Sequence, residues 1–381
     1  MNKLRILHIT PWFPNPKSEV EGVFIAAHLK ALSAHCQNTI LHLKFDTKAK
    51  EQFQGEYAGM KLKRIVAKPM IDKWRLKELL AKRILKKYLD SHVKDYDIVN
   101  FYIAYPNAVH IDYFQKRYPD IQFTISEQWS AYHENFNLPE ANKGRQRIAN
   151  LFHNNAPLFV VSNALGKDIQ RFSGQSNLPY QVVPNIADTD NFKYNEKTPG
   201  NPFTFCSINN WSSLKNPFVL IRAFKEHINT YSNSQLILAG SGNLTDQMQA
   251  LVNELNLQEK VVLTGRLTKD EVVRTLHKAN VYCQSSNYET FSAICIEALA
   301  TGTPVLATNI GGMKDFVNNT NGQLVDDLSP ELWAKAMENV RNRYNQFDKK
   351  SISKQISDTY NATKVGQLYA EKFKEVIANG G

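Results

Sequence analysis

The sequence predicts an α/β protein with two domains, and three observations support this. The chain has 381 residues, which exceeds one typical domain and suits two of roughly 190 residues each. Short apolar strand patterns alternate with helical patterns along its length. A polar run from Lys193 to Asn201 interrupts this alternation, and a new strand pattern begins at Phe203. We therefore expect a linker in that run, with an α/β domain on each side.

The elements follow from hydrophobic periodicity and from the turn residues at their ends. Strands are predicted at residues 4–9, 39–43, 97–102, 122–126, 158–161, 203–208, 235–239, 261–267, 281–284, 304–308 and 321–325. Helices are predicted at residues 23–35, from 163 to about 172, from about 217, at 269–278, between 290 and 302, and at 360–377. Repeats and low-complexity segments are absent from the sequence.

The composition indicates a globular protein. Hydrophobic residues make up 43% of the chain and aromatic residues 11%, which is enough for sizeable cores. No run of 18 or more apolar residues exists, so we expect no membrane-spanning helix. The N-terminus leads directly into a strand pattern and lacks the features of a signal peptide. The four cysteines are scattered, which favours buried free thiols and a cytoplasmic location: Cys36, Cys206, Cys283 and Cys295.

The net charge of +10 lies mainly in the first half of the chain. Residues 1–190 carry 26 Lys and Arg against 18 Asp and Glu, and the excess is concentrated between Lys61 and Lys87. Nucleic acid is not expected, because no nucleic-acid-binding motif accompanies the charge. The segment from Asp72 to Leu89 interleaves apolar and basic residues. It is compatible with a helix on an anionic membrane surface and equally with a helix packed on a sheet.

The motif from Gln284 to Gly312 carries the clearest functional signal. Between Thr290 and Gly302 the residues are small and apolar, with a helical pattern and the single charge of Glu297. A carboxylate in so apolar a helix is costly unless a partner hydrogen-bonds to it. Glu289 precedes the first turn. The pattern predicts a ligand at the helix N-terminus, where the backbone N–H groups near Phe291 and Ser292 suit a phosphate.

Embedded as Y-E-T-F-S-A-I-C-I-E-A-L-A-T-G-T-P-V, this motif resembles the signature of retaining GT-B glycosyltransferases of glycosyltransferase family 4, the glycosyl transferases group 1. The resemblance implies two Rossmann-like, doubly wound domains facing across a cleft. Residues 1–188 would bind the acceptor, with a last helix at about 358–381 crossing back to them. Residues 189–357 would bind the nucleotide sugar.

The resemblance also implies roles for residues of the second domain. Glu297 would accept hydrogen bonds from the ribose, and Glu289 would hold the donor sugar. Lys215 matches the family's diphosphate-binding lysine, whereas Asn210 stands where the family has an arginine. A neutral amide can donate a hydrogen bond to phosphate but brings no charge. The remaining donor-binding candidates are Thr290, Phe291, Ser292, Gly240, Gly242 and Arg266.

In the first domain the match is looser. Gly22 stands in the loop after the first strand, where the family often has two glycines lining the cleft; a plain helix-start glycine is the competing interpretation. Gln128 occupies the position of a family histidine that reaches donor and acceptor. His133, five residues later, is a second candidate for this catalytic role, and a loop histidine without a catalytic part is the alternative.

The expected reaction transfers a sugar from a nucleoside diphosphate to an acceptor hydroxyl with retention at the anomeric carbon, in bacterial polysaccharide or lipid-linked glycan assembly. The resemblance implies neither a cofactor nor a metal at the diphosphate. The one Asp-x-Asp, at Asp188 and Asp190, falls in the interdomain element and is interpreted as linker. The expected partners are the nucleotide sugar, a glycan or lipid-linked acceptor, and an anionic membrane at the inner face.

Three alternatives share parts of these features. A phosphorylase or nucleotide-sugar hydrolase of the same fold would share the donor motif. A non-catalytic GT-B-like sugar- or nucleotide-binding protein would explain Asn210 and Gln128. A nicotinamide enzyme rests only on the glycines of Gly240-Ser241-Gly242, which are a weak dinucleotide signal.

Overall fold

The computed structural model describes residues 3–196 and 200–379. The chain forms two compact units. The first contains the described residues up to Ile186 together with those from Ala362 onward, and the second runs from Ala187 to Asn361. The sequence placed these boundaries at 188/189 and at 357/358, close to the observed ones.

The first unit is an eight-stranded α/β layer structure. Its strands are β1 (Arg5–Thr10), β2 (Gln37–Phe45), β3 (Glu51–Tyr57), β4 (Met60–Ala67), β5 (Ile98–Tyr102), β6 (Gln122–Glu127), β7 (Leu158–Val160) and β8 (Gln181–Val182). Its helices are α1 (Val23–Leu32), α2 (Trp74–His92), α3 (Ile111–Arg117), α4 (Lys143–Asn150), α5 (Asn163–Ser173) and, from the end of the chain, α12 (Ala362–Asn379).

The strand order of the first sheet is β3-β4-β2-β1-β5-β6-β7-β8. All neighbours are parallel except β3, which pairs with β4 as an antiparallel hairpin. The order reverses between β1 and β5, so this is the switch point at whose carboxyl ends ligands bind in open α/β sheets. The loops that follow β1, β5 and β6 therefore surround the candidate acceptor side of this unit.

The last helix belongs to the core of the first unit. In α12 the side chains that face inward are Val365, Tyr369, Phe373 and Val376, and all are buried. They share one hydrophobic cluster with Ile25 and other residues of α1 and β1. Gly366 lies where a Cβ would come within 2.7 Å of the Ala31 carbonyl, so a glycine lets the two helices approach closely. The return of the last helix to the first domain, which the resemblance implies, is therefore observed.

The second unit contains a six-stranded parallel sheet. Its strands are β9 (Phe203–Ile208), β10 (Ser234–Ala239), β11 (Val261–Gly265), β12 (Val281–Gln284), β13 (Val305–Thr308) and β14 (Gly322–Val325), in the order β11-β10-β9-β12-β13-β14. Its helices are α6 (Pro217–Thr230), α7 (Thr245–Glu254), α8 (Lys269–Lys278), α9 (Ala293–Ala300), α10 (Pro330–Asn342) and α11 (Lys349–Tyr360).

Local sequence signals explain several helix boundaries. Thr268 and Glu271 form a reciprocal capping box at the start of α8. Ser329 caps α10 and Pro330 occupies its first position. After α9 the chain reverses through Gly302, whose φ of 76° is the left-handed conformation that glycine adopts without strain. This glycine was predicted to follow the helix, and it does.

Several elements differ from the sequence predictions. The helices α3, α4, α7, α10 and α11 and the short strand β8 were not predicted. The β3–β4 hairpin was not predicted, because β3 is polar and largely exposed and so lacks the apolar alternation that marks a strand. The helix of the central motif begins at Ala293, so Phe291 precedes it in a loop instead of occupying its first turn. The four cysteines are free and buried, as the sequence predicted.

Candidate functional site

The switch point of the second sheet brings the two predicted donor segments together. Strand order reverses between β9 and β12, which are parallel neighbours. The loop after β9 carries Asn209, Asn210 and Lys215, and the loop after β12 carries Glu289. These segments are far apart in sequence but leave the same edge of the sheet, where open α/β folds bind their ligands.

Glu289 is held by three side chains at this edge. Its Oε1 accepts hydrogen bonds from Gln284 Nε2 at 2.9 Å and from Ser286 Oγ at 2.8 Å. Lys215 Nζ donates to the same oxygen and forms an ion pair with the carboxylate. The predicted pair of Glu289 and Lys215 is thus in direct contact, although Lys215 was expected on the diphosphate and not on the glutamate.

Gln284 links this carboxylate to the end of β9. Its Nε2 lies 3.1 Å from Asn209 Oδ1, and its Oε1 accepts a hydrogen bond of 2.7 Å from the hydroxyl of Tyr282. Gln284 is fully buried, so a polar side chain here requires partners on every side. Sequence reasoning missed Gln284 and Tyr282. The available signal was a glutamine and a tyrosine inside an otherwise apolar buried strand.

Two glycines bring a second loop against the backbone of Glu289. The N–H of Gly312 donates to the Glu289 carbonyl at 3.0 Å. A Cβ on Gly311 would lie 1.8 Å from the same carbonyl oxygen, so no other residue fits this contact. The G-G that follows the central motif therefore fixes the loop carrying Glu289.

The N-terminus of α9 faces this loop without a side-chain cap. Ser292 occupies the N-cap position with a left-handed φ of 64°, and no side chain of the described residues accepts a hydrogen bond from the first turn. Phe291 turns away and is buried against Phe316 and Tyr360. Thr290 is partly exposed beside them. An uncapped helix N-terminus carries partial positive charge and free amide donors, which suit an anion.

Glu297 lies within α9 and is partly buried. Its pKa is raised to about 8, mainly by burial and also by the nearby Asp188, while Lys269 opposes both effects. Asp188 itself forms an ion pair with Lys269. The sequence interpretation of Asp188 as a linker residue overlooked this role, because nothing in the spacing indicates that it lies near Glu297.

Gly240 and Gly242 allow two loops to approach each other. A Cβ at Gly240 would lie 1.9 Å from the Asn209 carbonyl oxygen, and a Cβ at Gly242 would lie 2.0 Å from that of Trp211. These glycines therefore hold the loop after β9 in place, whether or not they also contact a donor. Asn210 and Arg266 are exposed, and each follows the carboxyl end of a strand of this sheet.

In the first unit, Gly22 adopts a φ of 66° at the start of α1. A Cβ there would come within 2.6 Å of the Trp12 carbonyl oxygen, so both the backbone conformation and the space require glycine. Gly22 thus lies at the start of α1, which was the competing interpretation. It also contacts the Trp12 backbone at the other end of the same loop. Both interpretations of Gly22 fit its observed place at the switch point.

Gln128 is buried and oriented by a histidine that the sequence analysis missed. His28 Nε2 lies 2.9 Å from the Pro184 carbonyl, so it carries the proton, and Nδ1 accepts from Gln128 Nε2 at 3.2 Å. Burial lowers the pKa of His28 to about 4, which keeps the ring neutral. The carbonyl Oε1 of Gln128 has no hydrogen-bond partner among the described residues.

The loop that carries Gln128 is anchored by Glu127. This fully buried carboxylate accepts hydrogen bonds from the backbone N–H groups of Ala104, Gln128 and Trp129 and from the hydroxyl of Tyr132. Desolvation raises the pKa of Glu127, and these four donors oppose that rise. Glu127 is therefore a structural residue that fixes the loop after β6.

Within the part of the chain that the structure describes, His133 and Gln128 form no hydrogen bond with each other. Its Nδ1 lies 3.3 Å from the Asp168 carboxylate on α5, and Asp168 also binds Arg171. A carboxylate on one ring nitrogen orients an imidazole. The two catalytic candidates of this unit are consequently held by different partners.

No group of three or more His, Cys, Asp or Glu side chains that could hold a metal ion occurs in residues 3–196 and 200–379. Of the Asp-x-Asp pair, Asp188 binds Lys269 and Asp190 is exposed. None of the helices within these two ranges is long and apolar enough to cross a membrane.

Comparison with known proteins finds similarity over parts of the chain. Residues 188–354 match the family model described as glycosyl transferases group 1. D-inositol 3-phosphate glycosyltransferase of Corynebacterium jeikeium is 30% identical over 203 residues, which cover 48% of this chain and 48% of that protein. The first matching curated relatives are each aligned over only 31% to 48% of their own length.

Solved structures resemble the whole chain. Sucrose-phosphate synthase of Thermosynechococcus elongatus has a TM-score of 0.75 at 16% identity, covering 99% of this chain and 100% of that one. HepE of Anabaena, solved with UDP and glucose, has a TM-score of 0.71 at 15% identity over 98% of this chain and 100% of its own. At such identities the likeness shows the fold alone, and it confirms the predicted fold class.

Proposed function

We propose that this chain transfers a sugar from a nucleoside-diphosphate sugar to an acceptor hydroxyl with retention at the anomeric carbon. Its fold is GT-B, and its residues 188–354 match the family model described as glycosyl transferases group 1. The observation that carries the proposal is the placement of Glu289. Lys215, Gln284 and Ser286 hold this carboxylate at the switch point of the second sheet, beside the uncapped N-terminus of α9.

The diphosphate is the part of the donor that fits the N-terminus of α9. As the bond to the sugar breaks, negative charge grows on the leaving diphosphate. The amide N–H groups at Phe291 and Ser292 and the positive end of the helix stabilise that growing charge more than the ground state, which accelerates the step. Lys215 adds a full positive charge from the loop after β9, so the proposal includes no metal ion.

Glu289 is suited to the sugar. Three donors meet at its Oε1, and the described residues donate no hydrogen bond to its Oε2. That second oxygen accepts from the sugar hydroxyls and stabilises oxocarbenium-like charge at the anomeric carbon. This use of one carboxylate differs from glycoside hydrolysis, where a second one acts as acid or nucleophile.

Glu297 is suited to the ribose. Its raised pKa leaves a large protonated fraction at neutral pH, so the carboxyl can both donate and accept hydrogen bonds with the two ribose hydroxyls. The nearby ion pair of Asp188 and Lys269 sets the charge around it. Arg266 and Asn210, exposed at the ends of their strands, are further donor-binding candidates.

The acceptor is a glycan or a lipid-linked glycan of bacterial polysaccharide assembly, acted on at the cytoplasmic side. Supporting this class, one relative that matches 35% of this chain is a Vi polysaccharide biosynthesis protein of Salmonella typhi. In the first unit, the loops with Gly22, Gln128 and His133 are the candidate acceptor-side residues. The orphan Oε1 of buried Gln128 would gain a partner from a bound hydroxyl.

The test is acceptor-dependent release of nucleoside diphosphate from UDP-, GDP- and ADP-sugars, with bacterial lipid and polysaccharide fractions as acceptors. Glu289→Gln keeps the shape but removes the charge, and we expect it to lower turnover by roughly a hundredfold or more. Glu338→Gln, a partly exposed glutamate on α10, is the matched control. Proton NMR of the product should show the anomeric configuration of the donor.

Three outcomes would contradict the proposal. Release that is equally fast without acceptor would indicate a hydrolase. An inverted product would exclude retention. Nucleotide binding without turnover on any acceptor would favour the alternative, a non-catalytic nucleotide-binding protein, which the neutral Asn210 in place of an arginine supports.

A further inference from the structure

A polar cavity of about 650 Å³ opens in the first unit, away from the candidate acceptor loops, which carry Gly22, Gln128 and His133. Its first wall is formed by residues 154–158, which lead into β7, and its second wall by residues 174–181, which lead from α5 into β8. Both walls meet the amino ends of these parallel strands. The candidate acceptor loops follow the carboxyl ends of β1 and β6 in the same sheet, so the cavity is a separate site.

The lining of the cavity is polar and uncharged. Among the described residues that form its walls, none is Asp, Glu, Lys, Arg or His. Side-chain amides predominate instead: Asn154, Asn155, Gln175, Asn177 and Gln181. An amide both donates and accepts hydrogen bonds, which matches a hydroxyl group, whereas a phosphate or a carboxylate is bound most strongly by cations. The lining therefore favours an uncharged ligand that is rich in hydroxyl groups.

Hydrogen bonds hold both walls in place before any ligand binds. Gln175 Nε2 donates to the Phe152 carbonyl oxygen at 2.8 Å, which ties the second wall to the chain just before the first. The N–H of Leu178 donates to the Gln175 carbonyl oxygen at 3.1 Å, and Gln170 Nε2 donates to the Leu178 carbonyl oxygen at 2.9 Å. The cavity is therefore pre-formed, as sites for small ligands usually are.

The second wall also offers an aromatic ring. Tyr180 lines the cavity and packs on α5, where a Cβ at Gly166 would lie 2.5 Å from the tyrosine ring. Pro157 and Pro179 add apolar surface without adding backbone donors. A sugar ring presents C–H groups on its faces and hydroxyls around its rim. A site that combines amides with an aromatic ring and prolines matches both parts of a sugar.

Gln181 provides the observation that a partner is missing. It is the first residue of β8, and its Oε1 is buried without a hydrogen-bond partner among the described residues. A buried carbonyl oxygen that lacks a donor is unfavourable. The last torsion of a glutamine side chain has broad preferences, so a rotation of the amide can turn this oxygen toward the cavity. A ligand hydroxyl there would supply the missing donor.

We propose that this cavity binds an uncharged sugar unit of a glycan, with Gln181 accepting a hydrogen bond from one of its hydroxyls. The side chains of Asn155, Ser176 and Asn177, which are exposed on the two walls, hydrogen-bond to further hydroxyls, and Tyr180 lies against the sugar ring. In an enzyme that extends a neutral glycan, such a site keeps the chain bound between transfers. This consequence rests on the proposed function, whereas the binding itself does not.

The experiment is saturation-transfer difference NMR with calorimetry on the full chain. The probes are neutral hexasaccharides of glucose, mannose, galactose and N-acetylglucosamine, and an acidic hexasaccharide of galacturonic acid. The test variants are Gln181→Leu, which removes the amide at nearly constant size, and Ser176→Trp, which fills the cavity from an exposed position. The controls are Gln115→Leu, at a partly exposed glutamine on α3, and Ser91→Trp, at an exposed serine near the end of α2. Circular dichroism and thermal unfolding verify that each variant is folded.

We expect at least one neutral hexasaccharide to bind the wild type and both controls, and the acidic hexasaccharide to bind none of them. Both test variants should weaken the binding at least about tenfold. The proposal is overturned if no neutral hexasaccharide binds, if the acidic one binds as tightly, or if Gln181→Leu binds like the wild type. Binding that both test variants keep and that His133→Ala loses would place the sugar at the candidate acceptor loops and would equally reject this cavity.

Failure of the proposed function is a different result. A protein without transferase activity would still bind the hexasaccharide in this cavity, and Glu289→Gln should leave that affinity unchanged. Conversely, Gln181→Leu should leave the release of nucleoside diphosphate on a short acceptor unchanged, because Gln181 lies at the opposite end of the sheet from the candidate acceptor loops.

Discussion

Gln284 is the residue that joins the two loops of the candidate donor site. It contacts Asn209 of the loop after β9 and Glu289 of the loop after β12, and Tyr282 fixes its amide orientation. Removing a buried amide that donates to a carboxylate leaves the carboxylate oxygen without that hydrogen bond, which costs free energy. In the proposed reaction Gln284 is accordingly a positioning residue, which would act on the sugar only through Glu289.

Replacing Gln284 with Leu should lower kcat while leaving the affinity for the free nucleotide nearly unchanged. The reason is that Glu289 loses a donor and its orientation, whereas the N-terminus of α9 and Glu297 are untouched. We expect a fall in kcat of roughly tenfold to a hundredfold. Steady-state kinetics measures kcat, and a parallel binding measurement gives the affinity for nucleotide. Gln249→Leu on the surface of α7 is the control. Equal losses in kcat and nucleotide affinity would contradict a positioning role.

Glu297 makes a prediction about stability and pH. Its pKa is raised from an ordinary 4.5 to about 8 in the folded protein. The folded state therefore holds this proton over a pH range where the unfolded state has released it, so the group's contribution to stability falls as pH rises from 4.5 to 8. Glu297→Gln removes this dependence. The melting temperature of the variant minus that of the wild type should increase by roughly 10 °C across this range.

The measurement is thermal unfolding of ligand-free protein at several pH values between these limits. Glu338→Gln controls for the general effect of losing a carboxylate. A difference between Glu297→Gln and wild type that stays constant with pH would show that Glu297 has an ordinary pKa, and the protonated ribose-binding form would then be wrong.

At the residue scale the sequence revealed the candidates whose types are unusual for their surroundings. Glu297 was recognised as a charged residue in an apolar helix. Glu289 and Lys215 were recognised through the family resemblance. Gln284 and Asp188 were missed because their importance depends on neighbours that are distant in sequence. Pairing across a switch point depends on strand order, which periodicity does not reveal. The catalytic roles themselves stay predictions.

At the scale of elements, the loop after β9 is held by glycines of the neighbouring strand end. Trp211 forms an isolated parallel bridge with Gly242, and its carbonyl lies where a Cβ on Gly242 would be. The backbone of Asn209 approaches Gly240 in the same way. Because these contacts join backbone to backbone, no side-chain movement can make room for a larger residue.

Gly242→Ala should therefore destabilise the second unit by about 2–4 kcal/mol and weaken nucleotide binding, since it displaces the loop that leads to Lys215. Gly55→Ala on β3 is the matched control. There an added Cβ would meet only the ring of Phe53, which is 44% exposed and can rotate away, so a cost below about 1 kcal/mol is expected. Chemical denaturation measures both. Similar values for the two variants would contradict the close approach at Gly242.

Sequence patterns predicted several elements of the second unit well. β9, α8 and β12 have the bounds that periodicity and capping residues indicated. The β3–β4 hairpin was missed, because an edge strand with polar residues on both faces has no hydrophobic signature. The start of α9 was misplaced, because Phe291 fits the helical spacing but packs against Phe316 and Tyr360 from a loop.

At the scale of the whole molecule, the chain builds its first unit from both ends. α12 supplies Tyr369 and Phe373 to a core that otherwise comes from the first half of the sequence. The candidate donor site, by contrast, lies entirely within the continuous segment from Ala187 to Asn361. The number of domains and the fold class could be predicted from length, alternation and the family motif. The extent of each unit depends on where α12 packs, which length and alternation do not reveal; the return of this helix to the first unit was expected from the family resemblance alone.

The central claim is that the second unit binds a nucleoside diphosphate between the α9 N-terminus and Glu297. The most direct test is a thermal-shift and calorimetric panel of UDP, GDP, ADP and their common sugar conjugates, on the wild type, Glu297→Ala and the control Glu338→Ala. We predict that one nucleotide stabilises the wild type and the control, and that Glu297→Ala loses this effect. If no nucleotide shifts the wild type, or if Glu297→Ala responds as the wild type does, the donor site described here is wrong.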